Sequence, residues 1–130
     1  MFSVDNMSKT PVYEQIIEQV EKFILLGLLK SGDGLPSVRG LSVELSINPN
    51  TIQKSYSELT KKGIAYSVPG KGLYISEDAA EIIGNSERQR LKSLETTIKE
   101  LKLAGISKEE ILSIIHSVYS EWKEYQYDNC

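Results

Sequence analysis

The amino-acid sequence predicts a mainly α, α+β fold: three helices and a two-stranded β-hairpin, followed by an antiparallel helical hairpin. Apolar residues recur at helical spacing in three N-terminal segments, and two short strand-like runs flank a Pro-Gly pair. After residue 76 the apolar pattern is purely helical. We therefore predict an N-terminal domain of residues 1–76 and a two-helix segment of residues 77–130.

The first predicted helix opens at Thr10, which suits an N-cap, and places Pro11 at its first position. Gly27 suits the C′ position where this helix ends. The segment 30–34 has the composition of a loop. The apolar face of the helix is formed by Tyr13, Ile16, Ile17, Val20, Phe23 and Ile24.

The second and third predicted helices are short and are joined by a tight turn through residues 46–48. They start at Ser37 and Pro49. The third helix turns Ile52, Tyr56 and Leu59 inward and carries uncharged polar and basic residues outside. Two short helices joined in this way, the second with a polar outer face, are typical of a helix-turn-helix.

Two strand-like runs follow, at residues 64–67 and 73–75. Between them, Pro69 and Gly70 fit the central positions of a type II turn, whose second residue needs a positive φ. A β-hairpin directly after a helix-turn-helix predicts a wing.

The C-terminal segment begins with a heptad-like seam and ends in a helix with one broad apolar face. Gly105 can stop the earlier helix, and Ser107 with Glu110 forms a capping box for the later one. The start of the fourth helix stays open between Glu77 and Ser86. The two faces could pack within one chain, but two amphipathic helices alone bury little surface, which favours a homodimer. The predicted dimerisation residues are Leu91, Leu94, Ile98, Leu101, Ile111, Ile115, Val118 and Trp122.

Charge is unevenly distributed along the chain, whose net charge is −3. Residues 1–76 carry eight basic and seven acidic side chains, whereas residues 77–130 carry seven and eleven. Between Leu35 and Ile75 there are five basic and two acidic residues. This segregation leaves the N-terminal domain free to meet phosphates.

Several classes of protein are not expected. No apolar run approaches the roughly 18 residues of a membrane span, and residues 1–10 lack the features of a secretory signal. The single cysteine, Cys130, cannot form an intrachain disulfide, so we expect a cytoplasmic protein. The lone histidine, His116, does not predict a metal site, because a metal needs several ligands. We also expect no cofactor.

Four motifs follow one another along the chain: Pro11-Val12-Tyr13-x-Gln15-Ile16, Gly32-Asp33-x-Leu35-Pro36-Ser37-Val38-Arg39-x-Leu41, Asn48-Pro49-Asn50-Thr51-Ile52 and Gly70-Lys71-Gly72. In this order they resemble the N-terminal domain of GntR-family regulators, and the short helical tail is similar to the YtrA subfamily. The resemblance implies a homodimeric repressor on a near-palindromic operator in double-stranded DNA, often controlling transporter genes.

The resemblance also implies which residues contact DNA: the start of the second helix, the outer face of the third in the major groove, and the wing near the minor groove. These residues are Ser37, Arg39, Asn50, Thr51, Gln53, Lys54, Gly70, Lys71 and Gly72. Alternatively, Arg39 could pair with Glu44 or Glu58, although its place beside a helix N-terminus favours an anion. Gln53 and Lys54 could instead form an ordinary solvated face.

Two other classes of function stay open at this point. A winged helix can serve purely as a protein-interaction module. The acidic total slightly favours this, but the five basic and two acidic residues between Leu35 and Ile75 and the polar outer face of the third helix argue against it. Some relatives of such a domain carry a fused aminotransferase-like domain that binds pyridoxal phosphate, but the segment 77–130 is too short for one and has no glycine-rich phosphate loop. Whether a small-molecule effector exists is not decided by the sequence.

Overall fold

A computed structural model describes the backbone of residues 1–128 and the side chains of residues 1–121. It divides into two compact units, residues 1–86 and 87–130. The division falls ten residues after the boundary predicted at residue 76. The reason is that Ala79 and Ile83, which follow the hairpin, are each only 2% exposed and belong to the core of the first unit.

The first unit contains α1 (Val12–Leu25), α2 (Val38–Leu45), α3 (Pro49–Lys61), β1 (Ala65–Val68), β2 (Gly72–Ile75) and α4 (Ala79–Arg88). The chain continues with α5 (Leu91–Leu103) and α6 (Lys108–Asp128). A mainly helical fold with a two-stranded antiparallel sheet after the helix pair confirms the predicted class. The fourth helix begins at Ala79 and runs through Gly84, so the described chain has three helices after the hairpin rather than two.

Of the two predicted ends of α1, the N-terminal one is wrong and the C-terminal one is confirmed. Thr10 is not the N-cap; that position is taken by Pro11, which has no side-chain cap. The Thr10 carbonyl instead accepts a 2.8 Å hydrogen bond from Gln15 Nε2. Gly27, at φ 79°, ends the helix as predicted, because a left-handed residue lets the N–H groups that follow bond back onto the last turn.

Residues 1–10 form an arm that packs along α1. Phe2 is buried and meets the ring of Phe23 edge to face, with ring centroids 5.5 Å apart. The amide of Gln15 both accepts from the Asp5 N–H at 2.8 Å and donates to the Asp5 carbonyl at 2.9 Å. Gln19, one turn later, does the same with Ser3. The side-chain amides of Gln15 and Gln19 thus satisfy the backbone N–H and C=O groups of the arm, as a neighbouring strand would do in a sheet.

The core of the first unit is centred on α3, which packs against α1, α2 and β1. Its fully buried apolar side chains are Ile16, Val20, Leu41, Ile52, Leu59, Ile64 and Ile75. The inward residues that the helical periodicity predicted for α3, Ile52, Tyr56 and Leu59, are all buried. Burial of this kind fixes which face of α3 remains available to a partner.

The sheet pairs β1 with β2 so that Ala65 faces Ile75 and Val68 faces Gly72. Segment 32–35 runs along the other edge of β2, where Leu35 N–H donates to the Leu73 carbonyl at 2.8 Å. The predicted loop at residues 30–34 therefore partly adds to the sheet. Gly34 is suited to this position because a Cβ there would lie 3.3 Å from the Tyr74 ring.

The second unit follows the predicted capping pattern. Gly105, at φ 91°, ends α5, and Ser107 Oγ accepts a hydrogen bond from Glu110 N–H at 3.2 Å before α6. No side chain of residues 87–121 is buried. The predicted dimerisation residues of this stretch are therefore exposed or half-buried in the single chain, with Leu94 51% and Val118 53% exposed. The side chain of Trp122 lies outside the described residues.

Candidate DNA-binding surface

The N-terminus of α2 presents Arg39 to solvent. Ser37 is the N-cap, and its Oγ accepts a hydrogen bond from Gly40 N–H at 2.9 Å, so the cap forms although position 40 lacks a capping-box glutamate. No carboxylate of residues 1–121 lies within ion-pair distance of Arg39, and Glu58 pairs instead with Lys61 at 3.5 Å. The guanidinium thus stands exposed beside backbone N–H groups that already suit an anion.

The turn between α2 and α3 is fixed by its backbone. Ser46 is left-handed at φ 55°, and Asn48 Oδ1 accepts from Asn50 N–H at 2.8 Å. Pro49 then starts α3 at the position where its missing N–H costs nothing. The side chain of Asn50 is exposed at this end of α3, whereas Thr51 is half-buried.

Lys54 rests on an aromatic ring from α1. Its Nζ lies 3.8 Å from the centroid of Tyr13, within the range of a cation–π interaction. The neighbouring Ser55 is fully buried, and its hydroxyl donates to the Tyr13 carbonyl at 2.8 Å. The sequence interpretation placed Tyr13 on the core face of its helix. It could not find this contact, because nothing local links residues so far apart in the chain.

The wing turn confirms the predicted type. Lys71 N–H donates to the Val68 carbonyl at 3.0 Å, and Gly70 has the positive φ, 76°, that the turn requires. Gly72 also has a positive φ, 115°. Lys71 is exposed at this tip, and no carboxylate of residues 1–121 pairs with it.

A cleft of about 400 Å³ lies between α3, the hairpin and the start of α2. It is lined by Pro36, Ser37, Val38, Gln53, Tyr56, Ser57, Thr60, Ser67, Gly72 and Leu73. One predicted DNA contact from each of the three elements, Ser37, Gln53 and Gly72, is therefore brought to one place. The other predicted contacts do not line the cleft: Arg39, Asn50, Thr51, Lys54, Gly70 and Lys71.

Tyr56 lines the cleft and links α3 to the start of α2. Its ring is buried, and its hydroxyl donates to the Pro36 carbonyl at 2.7 Å, directly before the Ser37 cap. Burial raises the pKa of the Tyr56 phenol, so it stays a neutral donor at ordinary pH. The sequence interpretation assigned Tyr56 only to the core. Its further role is to hold the start of α2 against α3.

We expect Tyr56→Phe to lower the free energy of unfolding by about 0.5–1.5 kcal/mol, because the Pro36 carbonyl loses its partner while the ring still packs. Urea unfolding followed by circular dichroism measures the change. Tyr66→Phe is the matched control, since Tyr66 is 45% exposed and stacks on Tyr74 through its ring. Equal stability of the Tyr56→Phe protein and wild type would contradict the assigned role.

Within the described residues, no cluster of histidine, cysteine and carboxylate side chains is arranged to hold a metal. No described helix is both long enough and apolar enough to cross a membrane.

Residues 12–75 match the family described as "Bacterial regulatory proteins, gntR family". The repressor YtrA of Bacillus subtilis (strain 168) is 38% identical over 124 residues, which cover 95% of each chain. The uncharacterised regulator YhcF of the same organism is 37% identical, over 81% of this chain and 87% of its own.

Two solved structures extend the likeness to the fold. A GntR-family regulator from Listeria monocytogenes superposes with a TM-score of 0.71 at 36% identity, covering 88% of this chain and 98% of its own. YtrA from Sulfolobus acidocaldarius, a GntR-family transcription factor, gives 0.62 at 31% identity, covering 75% and 95%. The chain therefore belongs to the GntR family, and it is a winged-helix transcriptional regulator rather than an enzyme.

Proposed function

We propose that this regulator is a repressor that binds a near-palindromic operator as a homodimer. The observation that carries the proposal is the convergence of Ser37, Gln53 and Gly72, one from each DNA-facing element, on a single cleft. Two comparisons support it. The Bacillus relative that matches 95% of the chain is named a repressor. The DNA-binding domain of AraR, solved in complex with its operator ORE1, superposes with a TM-score of 0.50 at 25% identity.

In this proposal, affinity and specificity come from different residues. Arg39 and Lys71 are exposed and face no carboxylate of residues 1–121, so both are available to phosphates. Gln53 and Lys54 project from the exposed face of α3, from which base edges in the major groove can be read. Occupation of the operator would then exclude the transcription machinery.

The second unit supplies the proposed dimer contact. Its apolar side chains recur along α5 and α6, yet within residues 87–121 they stay exposed or half-buried in the single chain, with Leu91 59% and Ile115 41% exposed. A second copy of the same surface is the partner that a twofold-symmetric operator requires, because a palindrome presents two equivalent half-sites. The proposed contacts are Leu91, Leu94, Ile98, Leu101, Ile111, Ile115, Val118 and Trp122.

We further propose that the regulator acts in the cytoplasm and that its targets include transporter genes, as the resemblance to the YtrA subfamily implies. Sites selected from random DNA, once located in the genome, would name those targets directly. Sites with no transporter gene nearby would remove this part of the proposal and leave DNA binding untouched.

Selection of bound sites from random duplexes, followed by footprinting, tests the proposal as a whole. We expect a near-palindrome whose half-site centres lie about one helical turn, roughly 34 Å, or a small multiple of it apart. A duplex with one half-site scrambled is the matched control and should bind much more weakly. Protection of a single asymmetric half-site by a dimer would contradict the geometry, and equal binding of all duplexes would contradict sequence-specific recognition.

A further inference from the structure

We infer that the cleft between α3 and the hairpin is a subsite for one deoxyribose–phosphate unit of the DNA strand that separates the major and minor grooves, held by uncharged groups. This inference rests on the proposed function and adds to it a set of backbone contacts that no motif of the sequence indicates. The residues that carry it are Ser57 and Ser67.

The position of the cleft follows from the order of the elements. If α3 enters the major groove and the wing reaches the adjoining minor groove, one sugar–phosphate strand must pass between them. The cleft lies between those two elements, with Gln53 of α3 on one side and Gly72 of the wing on the other. The sugar–phosphate backbone that crosses there has the same chemistry whatever the base sequence. Contacts made in the cleft therefore position the protein without reading bases.

The polar groups of the cleft include two serine hydroxyls whose O–H groups donate to no other group of residues 1–121. Ser67 is exposed on β1, and within residues 1–121 its hydroxyl makes no hydrogen bond. Ser57 takes part only in a long contact, 3.4 Å, in which Gln53 Nε2 is the donor, so its own O–H is free. Thr60 differs, because its hydroxyl already donates to the Tyr56 carbonyl at 2.9 Å. Ser57 and Ser67 thus each offer a neutral donor to phosphate oxygens, which accept strongly.

The remaining lining fits a sugar rather than a bare ion. Pro36, Val38 and Leu73 present apolar surface, and none of the lining residues carries a charge. The C–H edges of a deoxyribose suit such a wall, and the lack of charge means that this subsite releases no counterions of its own. A small neutral ligand would also fit a cleft of about 400 Å³, but it would leave the convergence of three predicted DNA contacts unexplained.

The experiment uses the full chain with Ser57→Ala, Ser67→Ala and Ser67→Lys, each titrated against operator and scrambled duplexes at several salt concentrations by fluorescence anisotropy. We expect each alanine variant to bind both duplexes about three- to tenfold more weakly, with an unchanged salt slope, since the lost hydrogen bonds involve no cation. Ser67→Lys should bind both more tightly and steepen the slope by about one unit. Thermal melts show whether each variant is folded.

Ser31→Ala is the matched control. Ser31 is exposed, and its neighbour Gly32 bonds to Ile75 at the base of the hairpin, at the opposite end from the wing turn. Alanine variants that bind like wild type, as a small-ligand pocket would predict, overturn the inference alone. Losses of affinity confined to the operator would also overturn the inference, because the serines would then read bases. An unchanged salt slope in Ser67→Lys would overturn it as well. Failure of the wild type to bind any duplex would overturn the proposed function as well.

Discussion

Glutamate at two seam positions, Leu94→Glu with Ile98→Glu, is expected to turn the proposed dimer into a monomer and to weaken operator binding by about 10²- to 10⁴-fold. The reason is that a dimer links two DNA-binding domains, so binding of the second half-site becomes intramolecular. The affinity gained in this way is lost when the subunits separate. Leu94 is 51% exposed and Ile98 half-buried in the single chain, so the two charges should not unfold the first unit. Sedimentation at micromolar concentration and anisotropy on the operator measure the two effects.

Leu103→Glu provides the control for this variant. Leu103 belongs to the same helix but is 89% exposed and lies off the heptad-like seam, so the charge there should leave the proposed dimer intact. Binding of random DNA by the double variant should fall far less than operator binding. A wild-type protein that sediments as a monomer, or a double variant that remains dimeric, would show that the seam is not the dimer contact.

The elements that could be predicted from the sequence are those decided by local chemistry. The N-cap Ser37, the start of α3 at Pro49 and the turn at Gly70 each depend on residues within one turn of the chain. The inward face of α3 follows from helical periodicity alone. The DNA contacts that the family resemblance implies for α2, α3 and the wing all fall on exposed or half-buried positions in the structure.

What the sequence could not show are contacts between distant residues. The bond from Tyr56 to Pro36 spans 20 positions, and that from Ser55 to Tyr13 spans 42. No pattern in the sequence marks Phe2 as a core residue. It is buried because it packs on Phe23 and because Gln15 and Gln19 hold the N-terminal arm, and these groups are in reach only after α1 has formed. The extension of the first unit to residue 86 has the same origin, since Ile83 is buried by residues of the earlier core.

Arg39→Ala and Gln53→Ala are expected to lose DNA binding in two different ways. Arg39 stands exposed at the start of α2, beside backbone N–H groups that suit a phosphate, so its loss should weaken binding to every sequence and lower the salt slope by about one unit. Gln53 is exposed on the first turns of α3. If it reads a base, its loss should cost about 1–3 kcal/mol on the operator and little on random DNA.

Lys54→Ala should also weaken binding to the operator more than binding to random DNA. We expect its loss at the lower end of the range of about 1–3 kcal/mol. Its ammonium lies 3.8 Å from the centroid of the Tyr13 ring, and leaving the ring to reach a base forfeits about 0.5–1 kcal/mol of cation–π attraction. Tyr13→Leu removes this competing contact, so in that background Lys54 should discriminate between operator and scrambled duplex more strongly. Tyr13→Phe keeps the ring and should behave like wild type.

Lys61→Ala controls for the simple removal of a positive charge from α3. Lys61 lies at the last turn, 74% exposed and 3.5 Å from Glu58, where it neutralises a carboxylate of its own helix. We expect this substitution to weaken binding to the operator and to random DNA slightly and equally.

Anisotropy with both duplexes at several salt concentrations yields the affinity ratio and the salt slope for every variant. Equal losses on both duplexes for Gln53→Ala and Lys54→Ala would mean that α3 positions the protein without reading sequence. Specificity would then have to arise from the wing or from the shape of the DNA.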